Sequence, residues 1–235
     1  MEQQRIRINK YLSQCGVCSR READRMIDEN RVTVNGKIAH KGDSISPDDS
    51  IFVDGKKIDF EEEEIIIAYN KPSGVVCTTS RREKNNIIDA IQFGKRIYPV
   101  GRLDKESTGL ILLTNNGQLM DDILRGRNCH EKEYEVTVNR PVKKEIFDAM
   151  EQGVPILNTI TRPCKITHRS GKKFNIILTQ GLNRQIRRMC EYFDFHVRTL
   201  KRIRIMSIEL GDLKEGTWRA LSQDEVIRLK EELNK

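Results

Sequence analysis

No long apolar run exists in the 235-residue chain. The longest, Ile65-Ile66-Ile67-Ala68-Tyr69, has five residues and falls far short of the roughly 20 that cross a bilayer. Met1-Glu2-Gln3-Gln4-Arg5 carries no apolar block, so no secretory signal is expected. A membrane-spanning or secreted protein is thereby disfavoured, and a cytoplasmic one is expected. The usual nucleotide and hydrolase signatures are missing too. There is no GxGxxG, no GxxxxGK[ST], no HExxH and no GxSxG. These absences argue against a dinucleotide enzyme, a P-loop NTPase, a zincin and an α/β-hydrolase. Cys15-Gly-Val-Cys18 has no second CxxC, and His40, His130, His168 and His196 stand apart. A four-ligand zinc site is not expected, so no metal is predicted. Small cysteines packed in a turn account for the pair better than a redox motif does, since only a short helical stretch precedes it.

What the chain does have is positive charge in two places. Its 42 Lys and Arg face 35 Asp and Glu, a net +7. Residues 1–41 hold nine basic and five acidic residues, and residues 183–204 hold seven and two. Two separated basic stretches suit a polyanion touched at two points. A solvated basic face is the plainer account of either stretch alone.

The first sixty residues read as two helices followed by hairpins. Ile8, Tyr11 and Leu12 share a helical face, and Gly16 ends that helix. Ser19-Arg20-Arg21-Glu22 has the spacing of a capping box. Ala23, Met26 and Ile27 then form the inner face of a second helix. Val32-Thr33-Val34-Asn35-Gly36-Lys37-Ile38 predicts strand, Asn-Gly turn, strand, and Ile51–Ile58 repeats the pattern around Asp54-Gly55. The run Glu61–Glu64 repels itself and marks a boundary. We place the break between residues 62 and 63.

Beyond it, strands are predicted at Ile65–Tyr69, Leu110–Thr114, Tyr134–Val138, Thr161–Ile166, Phe174–Thr179, Val197–Leu200 and Ile203–Leu210. Helices are predicted at Gly117–Leu124, Lys143–Met150, Arg184–Phe193 and Gln223–Leu233. Few strands are separated by a full helix. The fold class is therefore α+β, with a mixed, largely antiparallel sheet in the second domain.

Three segments can carry chemistry. Gly101-Arg102-Leu103-Asp104 leads through a polar loop into the apolar strand Leu110–Thr114. A carboxylate there stands at the floor of a cleft and can serve as base or nucleophile. Local chemistry alone favours the plainer account, an Asp that caps a turn or pairs with Arg102. In Gln180–Cys190, either Gly181 or Asn183 can open a helix, and Arg187 is a natural partner for a buried carboxylate. Tyr134, in Lys132-Glu133-Tyr134, can stack on a base or simply fill a strand position.

Arg7–Leu12, Ser19–Ala23 and Val32–Gly36 together resemble the core of the S4 RNA-binding domain. That resemblance implies RNA contacts by Arg7, Lys10, Arg20, Arg21, Arg25 and Arg31. Asn70-Lys71-Pro72-Ser73-Gly74, Gly101–Asp104 with Gly109-Leu110, Lys132–Tyr134 and Asn183–Arg188 occur in the order found in pseudouridine synthases. The whole chain resembles the branch with an N-terminal S4 domain that acts on ribosomal RNA. His130–Tyr134, Gly153–Leu157 and Gln180–Glu191 resemble the RluF type within it, which modifies large-subunit rRNA. The resemblance implies that Asp104 is the catalytic aspartate, Tyr134 stacks on the flipped uracil, Arg187 pairs with Asp104, and Leu200 packs beneath the base. Lys71 and Pro72 support the wall, Arg102 assists flipping, and Arg184 and Arg188 meet the RNA. It implies no cofactor, a ribosomal RNA partner and a tRNA as a conceivable second substrate. Nothing suggests more than a monomer. A related synthase for another uridine, and a non-catalytic S4-type ribosome-assembly factor, are the alternatives.

Overall fold

The computed structural model describes residues 5–59, 64–80, 82–125 and 129–234. The chain divides into two compact units, Met1–Glu64 and Ile65–Lys235. The break expected between residues 62 and 63, and Glu61–Glu63 of the acidic run, lie outside the described residues.

In the first unit, β1 (Ile6–Arg7) leads into α1 (Ile8–Gln14) and α2 (Arg20–Asp28). Ile8, Leu12, Ala23, Met26 and Ile27 are buried together, as their spacing predicts. Only half of the expected capping box forms. The Glu22 amide donates to Ser19 Oγ at 3.2 Å, but the Glu22 carboxylate takes the guanidinium of Arg25 at 3.1 Å. Next come β2 (Val32–Val34), β3 (Lys37–Ile38), β4 (Ser44–Ile45), β5 (Ile51–Val53) and β6 (Lys56–Lys57). β2 and β3, and β5 and β6, are the two expected hairpins. Asn35 and Gly36, and Asp54 and Gly55, all have positive φ, the backbone that matches a two-residue turn to strand twist. Cys18 is buried and Cys15 half-buried, both as free thiols.

The second unit is built on a nine-stranded sheet. Its chain order is β7 (Ile66–Lys71), α3 (Ile87–Ile91), β8 (Tyr98–Pro99), β9 (Thr108–Thr114), α4 (Gly117–Leu124), β10 (Lys132–Val138) and α5 (Lys144–Gln152). A small hairpin of β11 (Pro155–Ile156) and β12 (Thr159–Ile160) follows. β13 (Lys165–Ser170), β14 (Lys173–Leu178), α6 (Gln185–Tyr192), β15 (Val197–Ile205), β16 (Ile208–Glu209), β17 (Trp218–Ala220) and α7 (Gln223–Leu233) complete it. The main path across the sheet is β13-β14-β10-β15-β9-β7-β17. Its antiparallel halves meet at a parallel seam, where Lys201 of β15 pairs Thr108 of β9 and Arg202 pairs Gly109.

Three expected strands change form. Val197–Leu200 and Ile203–Leu210 are not separate: β15 runs unbroken through Lys201 and Arg202. The expected break fell on these two charged residues, yet β10 and β9 flank the strand and hold it extended. Thr161–Ile166 is not one strand, because Thr161–Cys164 lies between β12 and β13. Pro163 has no amide for a ladder there. α3 and β17 were too short to leave a periodic signal.

The seam is tight. Gly109 has φ +101°, and a Cβ there would stand 2.3 Å from the Arg202 carbonyl oxygen and 2.7 Å from its nitrogen. Gly109→Ala is expected to destabilise the chain by about 3 kcal/mol or more, from overpacking and left-handed strain together. Urea denaturation checks this, and a change below about 1 kcal/mol would contradict it.

Candidate active site

Asp104 stands four residues ahead of β9, in a loop anchored on both sides. The Val100 amide donates to Leu112 O at 2.7 Å, and the Ser107 amide returns to Asp104 O at 3.0 Å. Leu103 is buried beneath, its amide 3.4 Å from Cys77 Sγ. Lys71 ends β7 with no exposed surface. Its Nζ donates to Pro72 O at 2.8 Å, Val75 O at 2.9 Å and Lys105 O at 3.3 Å. The Gly74 amide also donates to Lys105 O, at 2.8 Å. One ammonium thus ties the Pro72–Val75 turn to the residue after Asp104. Burial pushes the Lys71 ammonium below the usual lysine range, with nearby Cys77, Asp104 and Glu106 opposing.

The start of α6 supplies two cations, Arg184 at its cap and Arg187 in its first turn. Neither Gly181 nor Asn183 opens that helix. Arg184 does, in the left-handed region at φ 50°. Instead of a side-chain cap, the Gln185 carboxamide accepts from the Leu182 amide at 3.0 Å. This strained turn brings Arg184 Nη1 to 3.3 Å from Glu106 and 3.8 Å from Asp104. Glu106 is held below the ordinary carboxylate range by its own backbone amide and then, against some burial, by Arg184. Arg187, one position into the buried face of α6, donates to Val197 O at 3.3 Å and to Ser107 Oγ at 3.4 Å. Its Nε lies 3.8 Å from Asp104 Oδ2 and has no hydrogen-bond acceptor.

The expected pair is therefore present, with its burial reversed. The Arg187 side chain is 10% exposed and the Asp104 side chain 30%. The guanidinium is the buried partner, and the carboxylate opens to a cleft. Charge in the low-dielectric interior is favoured only with a partner, so Arg187 depends on Asp104 at least as much as the reverse.

Two adjoining pockets open at Asp104. The smaller, about 110 Å³, is lined by Asp104, Ser107, Tyr134, Ile186 and Leu200 and has the scale of one pyrimidine ring. The larger, about 430 Å³, shares Arg102, Asp104, Tyr134 and Arg184 with it and adds Lys132 and Arg202. Arg102 is exposed, Tyr134 half-buried, and Leu200 buried. Lys132 and Arg202 escaped the sequence reading as wall residues. Lys132 stood within the noted Lys132–Tyr134 segment without a role, and only the cross-strand pairing of Tyr134 with Arg202 places Arg202 there. Arg188 folds back instead, its Nε donating to Asn183 O at 3.0 Å.

Burial, and then the charge of Arg202, pull the Lys132 ammonium down to about 8 from its ordinary 10.5. Below pH 8 the folded and unfolded chains both hold this proton, and the penalty is full. Between pH 8 and 10.5 the unfolded chain holds it and the folded chain has released it, so this contribution to stability rises with pH. Lys132→Met is expected to flatten that rise relative to wild type in urea denaturation across the window. An unchanged difference between the two chains from pH 7 to 10.5 would contradict it.

Residues 65–192, more than half the chain, match the family described as RNA pseudouridylate synthase. The chain belongs to the RNA pseudouridylate synthase family. Residues 6–51 of the synthase match the S4 domain. The synthase is 50% identical to the dual-specificity RNA pseudouridine synthase RluF of Escherichia coli K12 over 226 residues, 95% of this chain and 78% of that one. It is 33% identical to the ribosomal large subunit pseudouridine synthase B of Bacillus subtilis 168, covering 95% of each. A crystal structure of a pseudouridylate synthase superposes with a TM-score of 0.70 at 29% identity, covering 95% of this chain and 99% of that one. The synthase is an isomerase of uridine in RNA with an S4 RNA-binding domain. Among its described residues no helix is long and apolar enough to cross a membrane.

In the S4 unit, Arg7, Arg20, Arg21, Arg25 and Arg31 are exposed and Lys10 is half-buried. Arg31 is committed to Asp54, which accepts from its Nε at 2.9 Å and its Nη2 at 2.7 Å. Among the described residues Arg25 is held only by the exposed pair with Glu22, a contact worth little in water.

Proposed function

We propose that this chain converts a uridine of large-subunit ribosomal RNA to pseudouridine, in the manner of the RluF type, with Asp104 as the catalytic carboxylate. The supporting observation is that Asp104, Tyr134 and Leu200 line one pocket of pyrimidine size, with Arg187 standing against the Asp104 carboxylate. The domains are residues 1–62 for RNA binding and 63–235 for catalysis. The target nucleotide leaves its stack, at a cost of a few kcal/mol that is least for an unpaired base. Its uracil enters between Tyr134 and Leu200. Asp104 triggers cleavage of the N1–C1′ bond. The base turns, C5 joins C1′, the C5 proton is lost and N1 takes up a proton, so the product is an isomer of the substrate. The base is both leaving group and returning nucleophile, so the reaction needs no metal or redox cofactor. Arg187 and Arg184 hold the carboxylate and balance its charge. Lys71 and Pro72 fix the wall of the site, and Arg102 meets the RNA backbone at its mouth. The S4 cations Arg7, Lys10, Arg20, Arg21 and Arg25 meet phosphates; Arg31, Arg184 and Arg188, held by Asp54, by Glu106 with Asp104 and by Asn183, do so only by exchanging those partners. The enzyme works as a cytoplasmic monomer on rRNA or its precursor particle.

The test is to incubate the chain with unmodified large-subunit rRNA transcript, and with assembling particles. Pseudouridine is then mapped by carbodiimide-dependent reverse-transcription stops. One new stop is expected with wild type only. Absence of a stop on both substrates would favour a non-catalytic RNA-binding factor. The same assay on tRNA tests the second substrate class.

A further inference from the structure

The larger pocket beside the base site has a charge imbalance that the reaction does not account for. Among the described residues four cations line it, Arg102, Lys132, Arg184 and Arg202, against a single acid, Asp104. Arg184 is engaged by Glu106 and Asp104, but no carboxylate among the described residues pairs with Lys132 or Arg202. Arg202 is 3% exposed. Its Nε donates to Leu110 O at 2.7 Å, yet one terminal nitrogen is buried without an acceptor. Its guanidinium carbon stands 6.0 Å from the Tyr134 ring centroid. Lys132 Nζ donates to His130 O at 3.1 Å.

A buried guanidinium beside a half-buried ammonium, with no counter-ion paired to either, is costly. A buried donor with no acceptor calls for a partner that is not protein. A phosphate oxygen supplies both the charge and the acceptor, and a guanidinium matches it well. The pocket is larger than a phosphate alone, and it shares Asp104 and Tyr134 with the base pocket. A sugar-phosphate attached to the bound base therefore fits its position.

The geometry points to a phosphate subsite formed by Lys132 and Arg202, which holds one of the two phosphates of the nucleotide whose base sits between Tyr134 and Leu200. This rests on the reading of the smaller pocket as the uracil site. The subsite orients the nucleotide from behind the base, independently of the surface cations of the S4 unit. The cost of burying the Lys132 ammonium beside Arg202 is offset by a bound anion.

The probes are uridine, uridine 5′-monophosphate and uridine 3′-monophosphate, titrated into the full chain by NMR. One monophosphate is expected to bind about tenfold more tightly than uridine, the scale of one charge-assisted hydrogen bond. Which one does so identifies the phosphate. In Lys132→Gln and in Arg202→Gln the advantage is expected to fall to about twofold or less. Lys132→Gln carries the test should Arg202→Gln fail to fold. Equal affinity for all three ligands, or a phosphate advantage that survives Lys132→Gln, would overturn the subsite. The rRNA assay separates the two failures. Pseudouridine without phosphate discrimination removes the subsite alone. Discrimination without pseudouridine removes the functional reading and leaves an anion site.

Discussion

Asp104→Asn is expected to lower pseudouridine formation by at least about a thousandfold, with RNA affinity within about twofold of wild type. Asn keeps the volume and the loop but can neither attack nor accept a proton as a carboxylate does. The loop itself does not depend on the charge. It is fixed by Lys71 on Lys105 O, by the Gly74 amide and by the return bond of Ser107. The ion pairs of Asp104 stand at 3.8 Å to both arginines and the carboxylate is partly exposed, so the variant should fold. Single-turnover assays on rRNA transcript, with filter binding alongside, give both readouts. Turnover near wild type would sink the assignment of Asp104.

Arg187→Ala is expected to cost about a hundredfold in kcat and about 2–4 kcal/mol in stability. It removes a buried side chain, its donations to Val197 O and Ser107 Oγ, and the inner partner of Asp104. What remains for Asp104 is Arg184, which is 39% exposed and shared with Glu106. The carboxylate keeps water on one side, so the loss comes mainly from packing and from misplacement of the carboxylate. Arg25→Ala is the control. That side chain is 72% exposed, and its loss should stay within about 0.5 kcal/mol. If the two variants behaved alike in denaturation and in turnover, Arg187 would not be the positioning residue proposed here.

The local elements of this protein were legible because short-range rules act alone in them. α4 and α7 fall where their periodicity places them, at Gly117–Leu124 and Gln223–Leu233. The Asn35-Gly36 and Asp54-Gly55 turns follow from the backbone that those residues tolerate. The order of motifs carried the family, since each quoted segment is contiguous in the chain. Tertiary structure decided the rest. Lys201 and Arg202 read as a break until strands on both sides held them extended. Arg184 takes a left-handed backbone that no propensity favours, and the loop geometry around Asp104 and Glu106 makes use of it. The parallel seam joins residues about ninety positions apart, and such pairing leaves no local trace. Burial was the other unread quantity. Sequence chemistry pairs an aspartate with an arginine, but only packing against Val197 and Ser107 makes the arginine the buried partner. Strand pairing likewise brings Lys132 and Arg202 to one pocket whose single acid among the described residues, Asp104, is already engaged by arginines, because long-range contact, and not residue type, sets the electrostatics of a site.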